Sequence, residues 1–133
     1  ELLEEGLREV AAEGKGYDCA TYTEAMARRN AIGHDMQMLL SQYDLLMTPT
    51  LPIPAFTAGE ELSDPSQERW TEWTPFSFPF NLTQQPAATC PCGFTSDGLP
   101  IGLQIVGPMF DEPRVLRAAR AYEAAHPFKM PDL

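Results

Sequence analysis

Long apolar runs and basic residues are both scarce in this sequence. No stretch of about 18 uncharged apolar residues occurs, so no transmembrane helix is expected. The chain carries 9 Lys and Arg against 19 Asp and Glu, which gives a net charge of −10 over 133 residues. Nucleic-acid binding needs clustered basic residues on one face. We therefore expect neither a membrane nor a nucleic acid among the partners of this chain.

A recognisable signal peptide and a disulfide framework are also missing. The first residue is Glu1, and no basic segment followed by an apolar one comes after it, so we expect the chain to begin inside a longer protein. The cysteine count of 3 is odd, and the spacing is not that of a secreted disulfide scaffold. These features favour a reducing, cytoplasmic location.

Charge is almost absent from one part of the chain. Residues 74–107 contain a single charged residue, Asp97, whereas about a quarter of the residues of an average protein are charged. Such a segment is typical of a protein interior. Residues 57–72, in contrast, are acidic and contain Gly, Ser and Pro, which predicts an exposed loop.

Three helices are predicted from apolar periodicity. The first covers 2–13 and ends at the glycines of 14–16, one of which is expected in the left-handed conformation. The second opens at Thr21, which forms a capping box with Glu24. The last covers 113–125. The second helix carries an apolar stripe interrupted by one arginine: Ala25, Arg29, Ile32, Met36, Leu39 and Tyr43. The predicted inner face of the last helix consists of Val115, Ala118, Ala119 and Tyr122.

Three strands are predicted as well. Residues 44–48 form a short apolar strand that prolines terminate, and residues 87–94 and 101–106 form a hairpin with a turn at 96–98. Gly102 and Gly107 indicate close approach of another backbone. The strands have apolar positions on both faces, and a sheet covered on both faces needs more strands and helices than these. We therefore expect a sheet that is incomplete in this chain alone.

The triplet Cys90-Pro91-Cys92 invites a search for thiol or metal chemistry. In an extended strand the two cysteines point to the same side about 6.6 Å apart, while disulfide Cβ atoms lie about 3.5–4.5 Å apart. A bridge is therefore excluded. A zinc site needs about four ligands, and the other candidates are isolated: Cys19, His34 and His126. Two buried structural cysteines and no metal or other cofactor are expected, and a cysteine-dependent protein is the weakest hypothesis.

Serine chemistry is also incomplete. None of the serines lies in a nucleophile elbow or a glycine-serine cluster. The lysines, Lys15 and Lys129, lie between two glycines and near the C-terminus, and neither is placed like a desolvated base. Residue chemistry alone therefore gives this chain no complete active site and no catalytic residue.

Three stretches of the sequence resemble the C-terminal part of the amidase signature hydrolases. These are "YDLLMTPTLPIPAF", "FNLTQQPAATCPCGFTSDGLPIGLQIVG" and "FDEPRVLRAARAYEAAHPF", which occur in the order of that family between about residues 17 and 128. Gln84 is a departure, because a glycine is usual there and the turn is expected to differ.

The resemblance implies an α/β fold with one large mixed, twisted sheet flanked by helices, of which residues 1–133 would be the C-terminal segment of a single domain. It also implies hydrolysis of a carboxamide by a Ser–cis-Ser–Lys triad, whose residues would lie upstream of this chain. The implied partners are the N-terminal catalytic part of the same amidase and a small-molecule amide, with homo-oligomers also compatible.

The resemblance further implies that residues 73–78 approach the acyl side of the substrate. The candidate substrate-binding residues are Trp73, Thr74, Phe76 and Phe78. If the segment is helical, Thr74 and Phe78 share a face. Amidotransferase-type members carry an acidic residue at the position of Thr74, so an uncharged Thr74 disfavours a free amino acid such as glutamine. Two alternatives stay open: these aromatic residues are plain core, or the chain is a non-catalytic subunit or binding scaffold.

Overall fold

The computed structural model describes residues 4–60 and 62–128, which form four α-helices, one 3₁₀ helix and three strands. In chain order these are α1 (Glu5–Gly14), α2 (Cys19–Leu40), β1 (Leu46–Pro49), the 3₁₀ helix (Trp70–Trp73), α3 (Phe78–Thr83), β2 (Ala87–Phe94), β3 (Pro100–Val106) and α4 (Glu112–Ala125). The predicted α/β class is confirmed. Within the described ranges, none of the helices has the length and apolar character that a membrane crossing requires.

The three strands form one antiparallel sheet with β3 in the centre, in the order β1-β3-β2. The predicted hairpin of β2 and β3 is confirmed, and its turn uses Gly98 at φ 81°. The strand expected at 44–48 begins two residues later and includes Pro49. A proline is tolerated there because β1 lies at an edge of this sheet.

The core lies between the hairpin and α4. Cys90, Ile105 and Val115 form its buried cluster, and the predicted inner face of α4 packs on it. A Cβ added at Gly107 would lie 2.6 Å from Val115 Cγ2, and one at Gly102 would lie 2.6 Å from Thr50 Oγ1. The close approach predicted at both glycines is therefore confirmed, and the atoms nearest to the added Cβ belong to side chains.

The first helix ends at 14–16 as predicted but without a left-handed glycine, and the predicted start of the second helix is wrong. Asp18, not Thr21, caps α2: its carboxylate accepts a hydrogen bond of 2.8 Å from the Thr21 backbone N–H, and the helix begins at Cys19. Aspartate is as favourable an N-cap residue as threonine, because its carboxylate also accepts from an unpaired backbone N–H of the first turn. At the end of α1, the C-cap is Lys15 in the right-handed conformation, and Gly14 is still helical. Residues 2 and 3 of the predicted first helix lie outside the described residues.

The apolar stripe of α2 divides between two environments. Arg29 and Met36 of the stripe are half-buried, and Arg29 contacts α3 through the Leu82 carbonyl oxygen. Ile32 and Tyr43, from the same predicted stripe, are 48% and 61% exposed. Leu40 is the one buried residue of α2, and α1 has none. The periodicity is helical as predicted, yet much of the apolar surface on these two helices has no cover within the described chain.

The acidic segment 57–72 is mostly exposed in its described part. The Gln67 side chain accepts hydrogen bonds from the backbone N–H and the hydroxyl of Ser63, which gives the segment local order. An ion pair of 2.6 Å between Arg69 and Glu13 joins it to α1. The loop is thus held by its own polar contacts and one surface ion pair.

Candidate functional site

The candidate segment, residues 73–78, is not one continuous helix. The 3₁₀ helix ends at Trp73, Thr74 has φ −116° and ψ 36°, and α3 starts at Phe78. Thr74 precedes Pro75, and a residue before proline is disfavoured in the α conformation. The condition under which Thr74 and Phe78 would share a helical face is therefore not met, and this part of the prediction is wrong.

Trp73 lies against the proline-rich loop that follows β1. Its ring meets the ring of Phe56 edge-on, with centroids 5.4 Å apart and an angle of 75° between the planes. Residues of that loop and Trp73 line a cavity of about 300 Å³. Trp73 Nε1 is buried without a hydrogen-bond partner among the described residues. Sequence reasoning missed Phe56, although an aromatic residue at the end of a proline-rich loop was a usable signal.

Thr74 and Phe78 have different surroundings. The Thr74 hydroxyl is half-buried and donates a hydrogen bond of 2.8 Å to the carbonyl oxygen of Thr71, which fixes it inside its own turn. Phe78 is 42% exposed at the first position of α3. Of the two residues, Phe78 is therefore the one whose side chain is open to contact with a ligand or another segment.

Phe76 is tied to the sheet through its main chain. The Gln104 side chain of β3 donates from Nε2 to the Phe76 carbonyl oxygen at 3.1 Å and to Thr48 Oγ1 at 3.0 Å. Gln104 is 7% exposed. Sequence analysis did not single out this glutamine, although an amide between apolar neighbours of a central strand was the available signal, because buried polar groups are held by hydrogen bonds.

Cys90 and Cys92 do not point the same way, contrary to the prediction. The β2–β3 register shifts between Pro91 and Gly93, so Cys92 lies at a bulge. A bulge adds one residue to a strand and breaks its alternation. Cys90 is 1% exposed, Cys92 is exposed, and both thiols are free. The exclusion of a bridge is confirmed, whereas burial is confirmed for Cys90 and wrong for Cys92.

Cys90 is a poor nucleophile in this setting. Burial raises the pKa of its thiol, and the negative charge of Glu123 raises that pKa further. Because the thiolate is the reactive form, a raised pKa lowers reactivity. Among residues 4–60 and 62–128, no three His, Cys, Asp or Glu residues lie together in a way that could hold a metal ion.

The turn after α3 keeps the conformation that usually requires glycine. Gln84 caps α3 with φ 63° and ψ 29°, which is left-handed. The expected change of shape at this position is therefore not observed. Two residues earlier in the chain, the Leu82 carbonyl oxygen accepts a hydrogen bond of 2.8 Å from Arg29 Nε. Arg29 is half-buried, and its guanidinium caps an otherwise unpaired carbonyl at the end of α3.

Comparison with known proteins identifies the fold and the family. The family model for amidases matches residues 4–116. A glutamyl-tRNA(Gln) amidotransferase subunit of Oceanobacillus iheyensis is 44% identical over 124 residues, which are 92% of this chain and 25% of that protein. The chain thus spans about a quarter of the length of the curated relatives that it matches.

Solved structures agree with this match. The corresponding amidotransferase subunit from Thermotoga maritima superimposes with a TM-score of 0.74 at 34% identity, over 98% of this chain and 29% of that one. A 6-aminohexanoate cyclic dimer hydrolase shares the fold, with a TM-score of 0.83 at 24% identity over 98% of this chain and 30% of that one. On the family match over residues 4–116 and the 44% identity over 92% of its length, the chain belongs to the amidase family.

Proposed function

We propose that the complete protein containing this chain hydrolyses a carboxamide C–N bond, and that this chain supplies core strands and part of the substrate-pocket wall. The observation that carries the proposal is the amidase family match over residues 4–116. A second finding supports a role as one part of an enzyme, because the chain spans 25% of a curated relative. Catalytic residues would then come from the remaining length of the protein.

The proposed chemistry is that of a Ser–cis-Ser–Lys triad outside this chain. The lysine, acting through the bridging serine, removes the proton of the nucleophilic serine, which attacks the amide carbonyl. Backbone N–H groups stabilise the resulting oxyanion, the amine leaves, and water hydrolyses the acyl-enzyme. The strands described above would hold the pocket in place rather than take part in proton transfer.

Residues 73–78 are the proposed wall on the acyl side. Trp73 and Phe56 line an apolar cavity, and Phe78 exposes 42% of its surface. Apolar surface of this kind suits an alkyl or aryl acyl group, because burial of such a group is the main source of affinity in small-molecule pockets. Plain core packing is the competing interpretation for the same aromatic residues.

Phe78→Ala in the complete protein tests the wall. The probes are the p-nitroanilides of acetic, butyric and benzoic acids, and Phe110→Ala is the matched control, since Phe110 is 85% exposed in the turn before α4. We expect Phe78→Ala to change the ratio of kcat/KM between the benzoyl and acetyl probes about tenfold, as lost apolar pocket contacts do. Identical constants across the series would remove Phe78 from the site.

Amide transfer is the second candidate, because a relative 44% identical to this chain is named as part of a glutamyl-tRNA(Gln) amidotransferase. Thr74 opposes it, since the resemblance places an acidic residue there in amidotransferase-type members. Ammonia release from glutamine separates the candidates. The amidase proposal predicts slow release by the wild type and faster release by Thr74→Asp. Rapid release by the wild type would favour amide transfer instead.

A non-catalytic subunit or scaffold is separated from both candidates by intact mass. The enzyme proposal requires that a catalytic part bearing a serine cluster and a lysine belongs to the same polypeptide or co-purifies with it. Material that contains this chain with no such part, and that releases product from none of the probes, would support the scaffold.

A further inference from the structure

Gln104 occupies a polar row across the sheet, on the face opposite α4. The strand register aligns Thr48 of β1 and Thr89 of β2 with Gln104 of β3. The neighbouring residue Ile105 packs on the α4 side, and successive side chains of a strand point to opposite faces. Three polar side chains are thus aligned across the sheet on one face, while the opposite face packs on the apolar core.

The orientation of the Gln104 carboxamide follows from its partners. A backbone carbonyl can only accept a hydrogen bond, so the NH₂ group of Gln104 must face the Phe76 oxygen, 3.1 Å away. The same nitrogen has a second N–H for Thr48 Oγ1 at 3.0 Å. Because the amide is planar and 7% exposed, these two bonds fix both its position and its direction.

Gln104 is also the link between the sheet and the proposed wall. The backbone N–H of Thr74 bonds to Thr71 and that of Ser77 bonds to Thr74, so these bonds stay local. Among the hydrogen bonds formed within residues 4–60 and 62–128, the bond from Gln104 is the one that joins residues 74–77 to the sheet. Without it, the Phe76 carbonyl would have to find another donor or water.

We infer that Gln104 is a positioning residue of the acyl pocket, which it serves by holding the Phe76 main chain and thus residues 74–77 at a set distance from the sheet. The inference rests on the proposed function, in which residues 73–78 face the substrate. Gln104 does not touch the acyl group itself. Its effect reaches the substrate through the placement of two wall residues: Thr74, at the start of the held segment 74–77, and Phe78, which follows it directly.

The test uses Gln104→Met in the complete protein, since methionine matches glutamine in length and has no N–H donor. Thr48→Val removes the other partner and leaves the bond to Phe76. Gln42→Met is the matched control, because Gln42 is an exposed glutamine just after α2. Hydrogen exchange of a peptide covering residues 73–80 needs no substrate, and kinetics with the three p-nitroanilide probes are measured on the same proteins.

We expect exchange in residues 73–80 to become about tenfold faster in Gln104→Met, as local opening without global unfolding does. KM for the benzoyl probe should rise about tenfold with kcat nearly unchanged, the signature of lost uniform binding. The acetyl probe should change less. Gln42→Met should leave both readouts near the wild type. Thr48→Val should change both readouts in the same direction as Gln104→Met but by less, because it removes one of the two bonds that orient the carboxamide.

Three results would overturn the inference. Unchanged exchange in residues 73–80 would show that Gln104 does not hold the segment. Faster exchange throughout the chain, with kcat reduced equally for all probes and KM unchanged, would show a merely structural role. Faster exchange confined to residues 73–80 without any change in KM would show that the segment is held but does not face the substrate, and this result would refute the proposed wall rather than the contact.

Discussion

Two halves of the chain differ in how many of their residues are buried: the β2–β3 hairpin with α4 forms one half, and helices α1 and α2 form the other. In the first, Ile105 and Val106 at the centre of the sheet are 0% exposed and Val115 of α4 is 2% exposed. In the second, α1 has no buried residue and the 22 residues of α2 have one. Apolar side chains occur on the helices of both halves, so the sequence alone does not predict which of them find a partner within the chain.

The difference bears on which surfaces of the described part of this chain lack a partner. Large apolar side chains of α1 and α2 stay in water here: Leu7, Val10, Tyr22, Ile32, Met38 and Leu39. Exposed apolar surface of this kind favours burial against another part of a protein. We propose that the remaining length of the amidase covers this surface, as the quarter-length match to the curated relatives suggests.

The largest effects should come from alanine substitutions on the two halves. Ile105→Ala in the complete protein is expected to lower the free energy of unfolding by about 3 kcal/mol, the usual cost of a buried cavity. If the apolar face of α2 is covered there, Ile32→Ala should cost about 2 kcal/mol, although Ile32 is 48% exposed in this chain. Chemical denaturation measures both values. A cost below about 0.5 kcal/mol for Ile32→Ala, typical of surface positions, would mean that the face stays in water.

Two adjacent arginines sharpen the comparison within α2. Arg29→Met should cost about 2 kcal/mol, because it removes a charged donor from the Leu82 carbonyl. Arg28→Met removes an exposed ion pair with Glu24 and should cost about 0.4 kcal/mol. Thermal or chemical unfolding of the complete protein gives both numbers. Equal costs would show that the link between α2 and α3 contributes nothing specific.

Periodicity and turn chemistry account for what could be predicted of the fold. The hairpin, its glycine turn and the inner face of α4 follow from local rules, and the structure contains them. The cap of α2 could not be assigned by local rules, because Asp18 and Thr21 are both favourable N-cap residues and lie one helical turn apart. The exposure of Ile32 could not be predicted. A helical stripe shows which side of a helix favours burial, but it does not show whether the covering residues belong to the same chain.

The candidate site was less predictable than the fold. Trp73, Thr74, Phe76 and Phe78 came from the resemblance, and their role in substrate binding stays a prediction. The break at Thr74 is a local effect of Pro75, which disfavours the α conformation at the residue before it. The bulge at Cys92 depends on how β2 pairs with β3, and the bond from Gln104 to Phe76 joins residues 28 positions apart, so no local pattern predicts them.

A smaller effect separates the two cysteines of β2. Cys90→Ser should cost about 1–2 kcal/mol, because a hydroxyl is placed in the apolar core, while Cys92→Ser at the exposed bulge should be near neutral. Turnover per folded molecule should stay at the wild-type level in both variants. If Cys90→Ser folds normally but loses its turnover, the hypothesis of a catalytic thiol would be supported.

The same thiol predicts a pH dependence. Because the pKa of Cys90 is raised in the folded state, first by burial and then by Glu123, its contribution to stability is fully present below the ordinary thiol pKa. That contribution is lost as the pH rises from there through the folded pKa. Denaturation at neutral pH and at about pH 10 should show a decline in the wild type that is smaller in Cys90→Ser. An identical decline in stability in the wild type and in Cys90→Ser would mean that groups other than Cys90 cause the pH dependence.

The smallest effect is a gain. Gln84→Gly should raise the free energy of unfolding by about 0.5–1 kcal/mol, because glycine adopts φ 63° without the steric cost that glutamine carries. Gln42→Gly, at a position outside the left-handed region, should lower it by a similar amount through chain entropy. A loss of stability in Gln84→Gly would mean that the glutamine side chain makes a compensating contact.

The most direct test of the central claim is hydrogen exchange of the 133-residue chain alone and within the complete protein. If the exposed faces of α1 and α2 belong against the rest of the amidase, residues 5–14 and 19–40 should exchange rapidly in the isolated chain and become strongly protected in the complete protein. The isolated chain should also fail to unfold cooperatively. A monomeric isolated chain that unfolds cooperatively, with the same protection in both helices as in the complete protein, would contradict the account.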